Sequence, residues 1–261
     1  MSRLLRVSMR DDREHDDAFP FTVPTIASLA SLDLSSSVTF FVGENGSGKS
    51  TLLEAIAIAA ELRSFGAEDA PFDPTLGPQR ELARCLRLAW KLKSRQGFFL
   101  RAEDMFGWAR RNATFEARKR REKREFATGV RALGEDQALP EERDWASFIH
   151  VFDRRSHGET FIELFTTRAT GPGLYLLDEP EAALSPSRQV AFIGLVLDRV
   201  RRGGQFVIAT HSPIILGTPG ARIMSFDDGV IVETKYEELE HVTITRSFLE
   251  DREGVLRKLS E

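Results

Sequence analysis

GENGSGKST, residues 43–51, is the stretch that decides how this chain folds. It fits the pattern G-x-x-x-x-G-K-[ST], the phosphate-cradling P-loop, at every position. The run VTFFV at 38–42 before it is β-branched and aromatic, which predicts a buried strand. After it, apolar side chains recur at helical spacing: Leu52, Leu53, Ile56, Ala57 and Ala60. Strand, glycine-rich loop and helix in this order predict a site for phosphate groups.

The chemistry of such a loop assigns a role to several of its residues. Glycines let consecutive backbone N–H groups turn towards one anion, and the helix N-terminus adds partial positive charge. We expect Lys49 to reach the β- and γ-phosphates and the Ser50 hydroxyl to ligate Mg²⁺. The residues predicted to bind the nucleotide are Gly43, Glu44, Asn45, Gly46, Ser47, Gly48, Lys49, Ser50 and Thr51.

The bulk composition is that of an ordinary soluble globular protein. The 261 residues are 41% hydrophobic and 29% charged, and a chain of this length can bury one large core, or one core with an inserted subdomain. A net charge of −4 gives no reason to expect nucleic acid from bulk charge alone. Cys85 is the only cysteine, which favours a reducing compartment. With neither a signal peptide nor a membrane span in the sequence, we expect a cytoplasmic protein.

The first half of the chain surrounds the P-loop with less regular segments. Leu4, Leu5 and Val7 could form an edge strand in a leader of residues 1–37. Residues 81–92 are predicted to form a helix, because Leu82, Cys85, Leu86 and Ala89 share one face. Residues 97–100 are predicted to form a short strand.

The composition changes between residue 101 and about residue 145, which predicts a helical insertion into a single domain of residues 1–261. Residues 110–124 hold eight Lys or Arg and only two Glu. Such a run is either a solvated helix face or a contact surface for nucleic acid or an acidic partner.

The second half alternates between strands and helices. Residues 174–177 and 206–209 are apolar runs typical of buried parallel strands. Between them a helix is predicted from Ser185 and Pro186 to Gly203, with an inward face of Val190, Ile193, Leu197 and Val200. A hairpin at 222–233 and a helical tail at 243–259 follow. The fold class is therefore α/β with a parallel sheet.

Three polar residues follow the two buried strands of this half. Asp178 and Glu179 end the first strand and His211 follows the second, so we expect all three at the sheet edge where ligands bind. Asp178 is suited to hold Mg²⁺, and Glu179 to face an attacking water. His211 is suited to sense the γ-phosphate or that water. The alternatives are a turn-capping acidic pair and a loop histidine.

A further helix start lies at Ser156-His157-Gly158-Glu159. Ser156 and Glu159 fit a capping box, with Phe161, Leu164 and Phe165 at helical spacing behind them. The segment is either only a helix start or a second phosphate-binding N-terminus. Since the chain already has one phosphate loop, the second would serve a nucleotide bound to another subunit.

Together these motifs resemble the ABC-type ATPases, specifically the stand-alone bacterial "predicted ATPase" family near the SMC and RecF-like ATPases. The resemblance covers about residues 20–250 and includes GENGSGKST at 43–51, RSHGETF at 155–161, LYLLDEPEAALSP at 174–186 and ATHSPIIL at 209–216. It implies a P-loop NTPase core with a mostly parallel sheet, an antiparallel edge subdomain and a helical insertion.

The resemblance also implies site roles and a partner. Residues 43–51 bind ATP, Asp178 organises Mg²⁺, Glu179 polarises water, and His211 matches the switch histidine. Residues 183–185 match the D-loop. Ser156, Gly158 and Glu159 match the signature motif S-G-G-[QE], which contacts the ATP of a second subunit in a head-to-tail homodimer; His157 stands where glycine is usual and Arg155 where leucine is usual.

The glutamine of the family's Q-loop has no clear match in the sequence. Gln79 and Gln96 are candidates, and Arg101 or Glu103 are possible replacements.

The resemblance leaves several functions open. The first is an ATP hydrolase that uses dimer closure as a switch. The others are the nucleotide-binding subunit of a membrane transporter and a DNA-associated ATPase in repair, genome defence or segregation. A GTPase is disfavoured because TKYE at 234–237 fails the guanine-reading pattern, and a kinase does not need Asp178 and Glu179 followed by His211.

Overall fold

The computed structural model describes residues 3–10, 17–64, 76–93, 96–101 and 157–259. The predicted helical insertion beyond residue 101, its basic run at 110–124, Glu103 and Ser156 lie outside the described residues. Among the described residues, no helix is both long and apolar enough to cross a bilayer.

A six-stranded sheet forms the centre of the fold, in the order β5-β6-β7-β3-β8-β9. All neighbours run parallel except β8 and β9, which form the predicted hairpin. The strands are β3 (Val38–Val42), β5 (Gly97–Arg101), β6 (Leu174–Asp178), β7 (Gln205–Ala209), β8 (Arg222–Ser225) and β9 (Val232–Thr234). The continuous apolar runs of β3, β6 and β7 are buried on both faces, which confirms the predicted α/β class with a mostly parallel sheet.

Neighbouring side chains of each strand point to opposite sides of this sheet, so both of its faces are apolar. Helices cover both faces. Phe41 belongs to the same core as α2, and Phe40 to the same core as α4 and α5. The helices are α1 (Pro24–Ala27), α2 (Lys49–Ala59), α3 (Gly77–Cys85), α4 (His157–Arg168), α5 (Pro186–Arg201), α6 (Pro213–Leu216), α7 (Glu240–Glu250) and α8 (Arg252–Lys258). The last two are the predicted helical tail.

A second, antiparallel sheet of three strands corrects two predictions. Its order is β2-β1-β4, with β1 at Arg3–Met9, β2 at Ser31–Asp33 and β4 at Leu86–Leu92. The leader strand is therefore central, not an edge. The helix predicted for 81–92 is wrong in its second half, because Leu86, Leu88 and Trp90 alternate towards the core as a strand requires. Short apolar runs fit both periods, and pairing with β1 decides between them.

One buried side chain connects the two sheets. Gln205, at the first position of β7, accepts a hydrogen bond from the Leu4 N–H at 2.7 Å and donates to the Leu4 carbonyl at 2.9 Å. It also donates to the carbonyls of Leu34 and Ser36. An amide that satisfies both strand and loop groups stabilises the docked sheet, since unpaired buried polar groups are costly.

The inward face of α5 differs from the predicted one. Val190 is 54% exposed, while Phe192 and Val196 are buried. Phe192 packs against the rings of Phe161 and Phe165 at centroid distances of 5.6 and 5.2 Å. The predicted stripe was therefore wrong at Val190, whereas its last member, Val200, packs against this core.

Candidate functional site

The P-loop connects β3 to α2 and needs glycine at two positions. Gly48 has a φ of 101°, and a Cβ there would lie 2.7 Å from the Thr25 hydroxyl oxygen. Gly43 has a φ of 137°, and its Cβ would lie 3.0 Å from Oδ1 of Asp227. Both the left-handed backbone and the close neighbours exclude larger residues. The loop is thus held between α1 and the turn that follows β8.

Lys49 folds back over this loop and is only 5% exposed. Its Nζ donates hydrogen bonds to the Gly43 carbonyl at 2.6 Å and the Glu44 carbonyl at 2.7 Å. Burial lowers the pKa of Lys49, and the nearby Asp178 and Glu179 oppose that shift. The amine therefore lies between the loop and the two acids, where it can exchange backbone carbonyls for phosphate oxygens.

Ser50 and Asp178 come from different elements and meet at the carboxyl edge of the sheet. The Ser50 hydroxyl donates to Oδ1 of Asp178 at 3.0 Å. Burial raises the pKa of Asp178 to about 7; the Ser50 hydrogen bond and Lys49 act against this, whereas Glu54 and Glu179 add to it. A hydroxyl and a carboxylate whose negative charge is poorly compensated form a donor set that fits Mg²⁺, which prefers oxygen ligands.

The raised pKa of Asp178 predicts a stability change. The folded carboxyl binds its proton more tightly than the unfolded one, so its favourable contribution is present below about pH 4 and is lost as the pH rises through about 7. Asp178→Asn should therefore increase the free energy of unfolding at pH 8 by roughly 2 kcal/mol without nucleotide or metal, and by less at pH 5. Urea unfolding in EDTA measures this. A variant less stable than the original protein at pH 8 would contradict the assigned cause.

Glu179 and His211 extend the site along the same edge. Glu179 has a left-handed backbone (φ 50°, ψ 50°), and its N–H donates to the Ala209 carbonyl at 2.9 Å. This turns its half-exposed side chain towards His211, whose Nε2 lies 3.9 Å from Oε1 of Glu179. The backbone N–H of His211 donates to Oε1 of Glu181 at 2.6 Å. The structure thus has Asp178, Glu179 and His211 together at this edge of the sheet, where the sequence analysis expected them.

The segment resembling the signature motif lies at the start of α4. The described part of this helix begins at His157. Gly158 and Glu159 are in its first turn. Phe161 and Phe165 are fully buried and fix the helix against the sheet. The segment at 183–185 begins at the last residue of a short helical turn, Pro180–Ala183, and Leu184 is buried.

Arg101, one of the residues predicted as replacements for the glutamine of the Q-loop, lies beside Asp178 in the sheet. Arg101 ends β5 and is paired in register with Asp178. Its guanidinium lies 3.5 Å from Oε1 of Glu54, and both side chains are buried. Gln79 donates to the other Glu54 oxygen at 2.9 Å, whereas Gln96 precedes β5 at the opposite end of the strand. The sequence analysis did not identify Glu54 as a site residue. The only indication in the sequence was a single carboxylate within the apolar helix α2.

Two more residues near the loop were missed by the sequence reasoning. Asp227 accepts a hydrogen bond from the Glu44 N–H at 3.0 Å and another from the Ser225 hydroxyl at 2.7 Å. His241 belongs to α7, a tail helix far along the chain from the loop. Both line a cavity of about 900 Å³, which is also lined by residues 43–47 and His211. We refer to this space as the P-loop cavity.

Two segments of the chain match family models of AAA domains. Residues 26–63 match a family described as "AAA domain", and these residues include β3, the P-loop and α2. Residues 160–217 match "AAA domain, putative AbiEii toxin, Type IV TA system", a stretch that includes Asp178, Glu179 and His211.

Individual relatives resemble the chain over different lengths. The cytochrome c biogenesis ATP-binding export protein CcmA of Rhizobium meliloti (strain 1021) is 51% identical over 49 residues. Those residues are 19% of this chain and 23% of that protein, so the chain matches less than a quarter of its curated relative.

Solved structures resemble the chain over nearly its whole length. The cbiO1 protein of Clostridium perfringens, part of the ABC transporter complex cbiONQ, is 17% identical, with a TM-score of 0.46 and coverage of 98% of this chain and 99% of that one. The SMC head domain of Thermotoga maritima is 17% identical, with a TM-score of 0.44 and coverage of 89% and 99%. The two AAA-domain matches agree with the predicted resemblance to ABC-type ATPases with AAA-family domains.

Proposed function

We propose that this ABC-type ATPase binds Mg²⁺ and ATP at residues 43–51 and hydrolyses the ATP within a head-to-tail homodimer. In this proposal the dimer closes on ATP and opens after hydrolysis, as a conformational switch. One observation carries the proposal: the 3.0 Å contact between Ser50 and Asp178 lies at the same sheet edge as the Glu179–His211 pair, which are 3.9 Å apart. The groups proposed to bind Mg²⁺ therefore lie next to Glu179, the candidate general base.

The binding step uses groups that are arranged in advance. Backbone N–H groups of the loop and of the first turn of α2 bind the phosphates, and Lys49 moves its hydrogen bonds from the Gly43 and Glu44 carbonyls to phosphate oxygens. Ser50 and Asp178 would hold Mg²⁺. When bound, this ion offsets the negative charge of the phosphates.

The hydrolytic step is assigned to Glu179 and His211. Glu179 orients a water molecule towards the γ-phosphate and accepts its proton, and its half-exposed carboxylate can be reached by that water. His211 lies beside it and donates a hydrogen bond to the γ-phosphate or the water. The Glu179 backbone bond to β7 and the Glu181 contact to His211 keep both side chains at the edge.

A second subunit would complete the site from its open side. The side chains of Glu179 and His211 are 46% and 37% exposed, so this edge of the sheet is partly open to water in a single chain. The helix α4 of the partner, with Ser156, Gly158 and Glu159 at its start, supplies N–H groups for the outer side of the γ-phosphate. Closure thus removes water and adds donors in the same step.

A mixing experiment tests the head-to-tail arrangement. Gly158→Asp places a carboxylate opposite the partner's γ-phosphate, and Lys49→Ala removes the phosphate-binding amine, so each variant alone should be inactive. An equimolar mixture should recover at least about a tenth of the original ATPase rate, because one of the two composite sites in a mixed dimer carries neither change. Phosphate release measures this. A mixture as inactive as its components, although mixed dimers form, would contradict the shared site.

A second candidate is the nucleotide-binding subunit of a membrane transporter. The 49-residue identity with an ATP-binding export protein favours it, while the Arg101 at the sheet edge where a coupling glutamine is usual disfavours it. Copurification of the chain with a membrane permease from its own cells would favour this candidate over a stand-alone switch.

A further inference from the structure

A buried ion pair lies beside the proposed Mg²⁺ site and has no role in the chemistry assigned above. Glu54 of α2 and Arg101 of β5 are each only 8% exposed. The Arg101 guanidinium lies 3.5 Å from Oε1 of Glu54, and Gln79 of α3 donates a hydrogen bond to Oε2 of the same carboxylate at 2.9 Å. Residues from two neighbouring elements, α3 and β5, therefore hold a buried carboxylate of α2 in place.

The alternation of strand side chains places Arg101 and Asp178 on the face of the central sheet that α2 covers. The two residues are paired in register, so their side chains point to the same face. Phe99 and Leu176, two positions earlier in the same strands, pack in the core that contains the apolar residues of α2. Since side chains two positions apart share a face, Arg101 and Asp178 continue this row at the carboxyl edge of the sheet.

The helix α2 supplies two more polar residues on this face. Ser50 and Glu54 are four positions apart, so their side chains are neighbours along the helix, with Cβ atoms about 5 to 6 Å apart. The Ser50 hydroxyl donates to Asp178 at 3.0 Å, and Glu54 is paired with Arg101. The four residues therefore form a closed ring, in which Arg101 returns to Asp178 through the pairing of β5 and β6.

This ring brings a second negative charge close to the carboxylate assigned to the metal. Burial raises the pKa of Asp178 to about 7, and repulsion from Glu54 adds to this increase. Such repulsion is relieved when a divalent cation binds nearby. The charge of Arg101 acts in the opposite sense, because it attracts Glu54 and repels a cation. Both effects are strong in a buried site, where solvent and salt screen charges weakly.

We propose that Glu54 and Arg101 set the affinity of the Ser50–Asp178 site for Mg²⁺, an assignment that rests on the Mg²⁺ and ATP binding proposed above. Glu54 adds negative charge that favours the cation. Arg101 offsets part of that charge and holds the carboxylate in place. Both are positioning residues that act through Asp178 and Ser50. Because their charges are opposite, their removal changes the same affinity in opposite directions, which the loss of a merely structural ion pair would not do.

The coupling between Mg²⁺ and nucleotide binding tests this assignment. The dissociation constant of a fluorescent, non-hydrolysable ATP analogue is measured in EDTA and in excess Mg²⁺, and the ratio of the first value to the second reports how strongly Mg²⁺ supports binding. Glu54→Gln should lower this ratio about tenfold, and Arg101→Gln should raise it about threefold, as expected when one buried charge near a divalent cation is removed. The variant with both changes should lie within about threefold of the original protein.

The matched controls are Glu233→Gln and Arg222→Gln. These residues form an ion pair with a distance of 2.7 Å, and Arg222 is the first residue of β8, so the pair lies away from the carboxyl edge of the sheet. Each control variant should keep the ratio of the original protein within about twofold, because a distant and partly exposed charge is screened by solvent.

The outcomes separate this inference from the proposed function. A shift in the same direction for both single variants, or no shift for either one of them, would overturn the roles of Glu54 and Arg101 while Mg²⁺-dependent nucleotide binding stands. An original protein with equal affinity in EDTA and in Mg²⁺ would overturn the proposed Mg²⁺ site as well.

A further comparison applies if thermal unfolding shows that Arg101→Gln, which leaves Glu54 without its cationic partner, does not fold. The variant with both changes removes both charges of the pair and is then compared with Glu54→Gln. Its ratio should be at least about threefold higher, because the two proteins differ only in the charge of Arg101. Equal ratios would overturn the role of Arg101.

Discussion

Glu179→Gln is expected to reduce steady-state ATP hydrolysis at least about 100-fold while ATP still binds. Glutamine has nearly the same shape as glutamate but accepts no proton from the attacking water. The side chain keeps its place because the left-handed backbone and the N–H bond to Ala209 do not depend on the carboxylate. Phosphate release at saturating Mg²⁺ and ATP measures the loss, and a parallel binding assay shows that the nucleotide remains bound.

A matched control variant tests whether the loss of hydrolysis is specific to Glu179. Glu250→Gln makes the same chemical change on the exposed surface of α7, outside the P-loop cavity, and should leave hydrolysis unchanged. If Glu179→Gln hydrolyses ATP at the original rate, Glu179 is not the base, and another group at the sheet edge must orient the water.

Lys49→Ala is expected to weaken ATP binding by at least about 100-fold, because a charge-assisted hydrogen-bond donor to the phosphates is lost. The effect should be large because Lys49 is 5% exposed and its amine lies over the loop before any ligand arrives, so little ordering is required on binding. Equilibrium binding of a fluorescent ATP analogue measures it.

The control for this variant is Lys91→Ala, which removes an exposed lysine from β4 in the antiparallel sheet. It should bind ATP like the original protein. Equal ATP affinity for Lys49→Ala and the original protein would show that the triphosphate binds elsewhere in the molecule.

The sequence predicts the centre of the fold well because its signals are local. Residues 38–42 can only be a buried strand next to the GENGSGKST loop, and the apolar runs of β6 and β7 are equally distinct. The segment at 86–92 was misread because LRLAWKL is short enough to fit two periods. Only its pairing with β1, which joins residues about 80 positions apart, makes it a strand.

The residues of the candidate site were likewise predictable only where their signals in the sequence are local. Asp178, Glu179 and His211 were predictable because parallel strands bring their carboxyl ends to one edge. Glu54, Asp227 and His241 were not, because each reaches the site through packing between distant elements. Glu54 is paired with Arg101 across the sheet edge, and Asp227 holds the loop through the Glu44 N–H. No spacing within the sequence encodes such contacts.

The mass of the Glu179→Gln protein in solution, measured with Mg²⁺ and ATP and again with ADP, tests the central claim most directly. With hydrolysis blocked, the closed head-to-tail dimer should accumulate, so we expect twice the mass of one chain in ATP and a single chain in ADP. A single-chain mass in saturating ATP, with ATP bound to the protein, would contradict the account of a shared site that closes on the nucleotide.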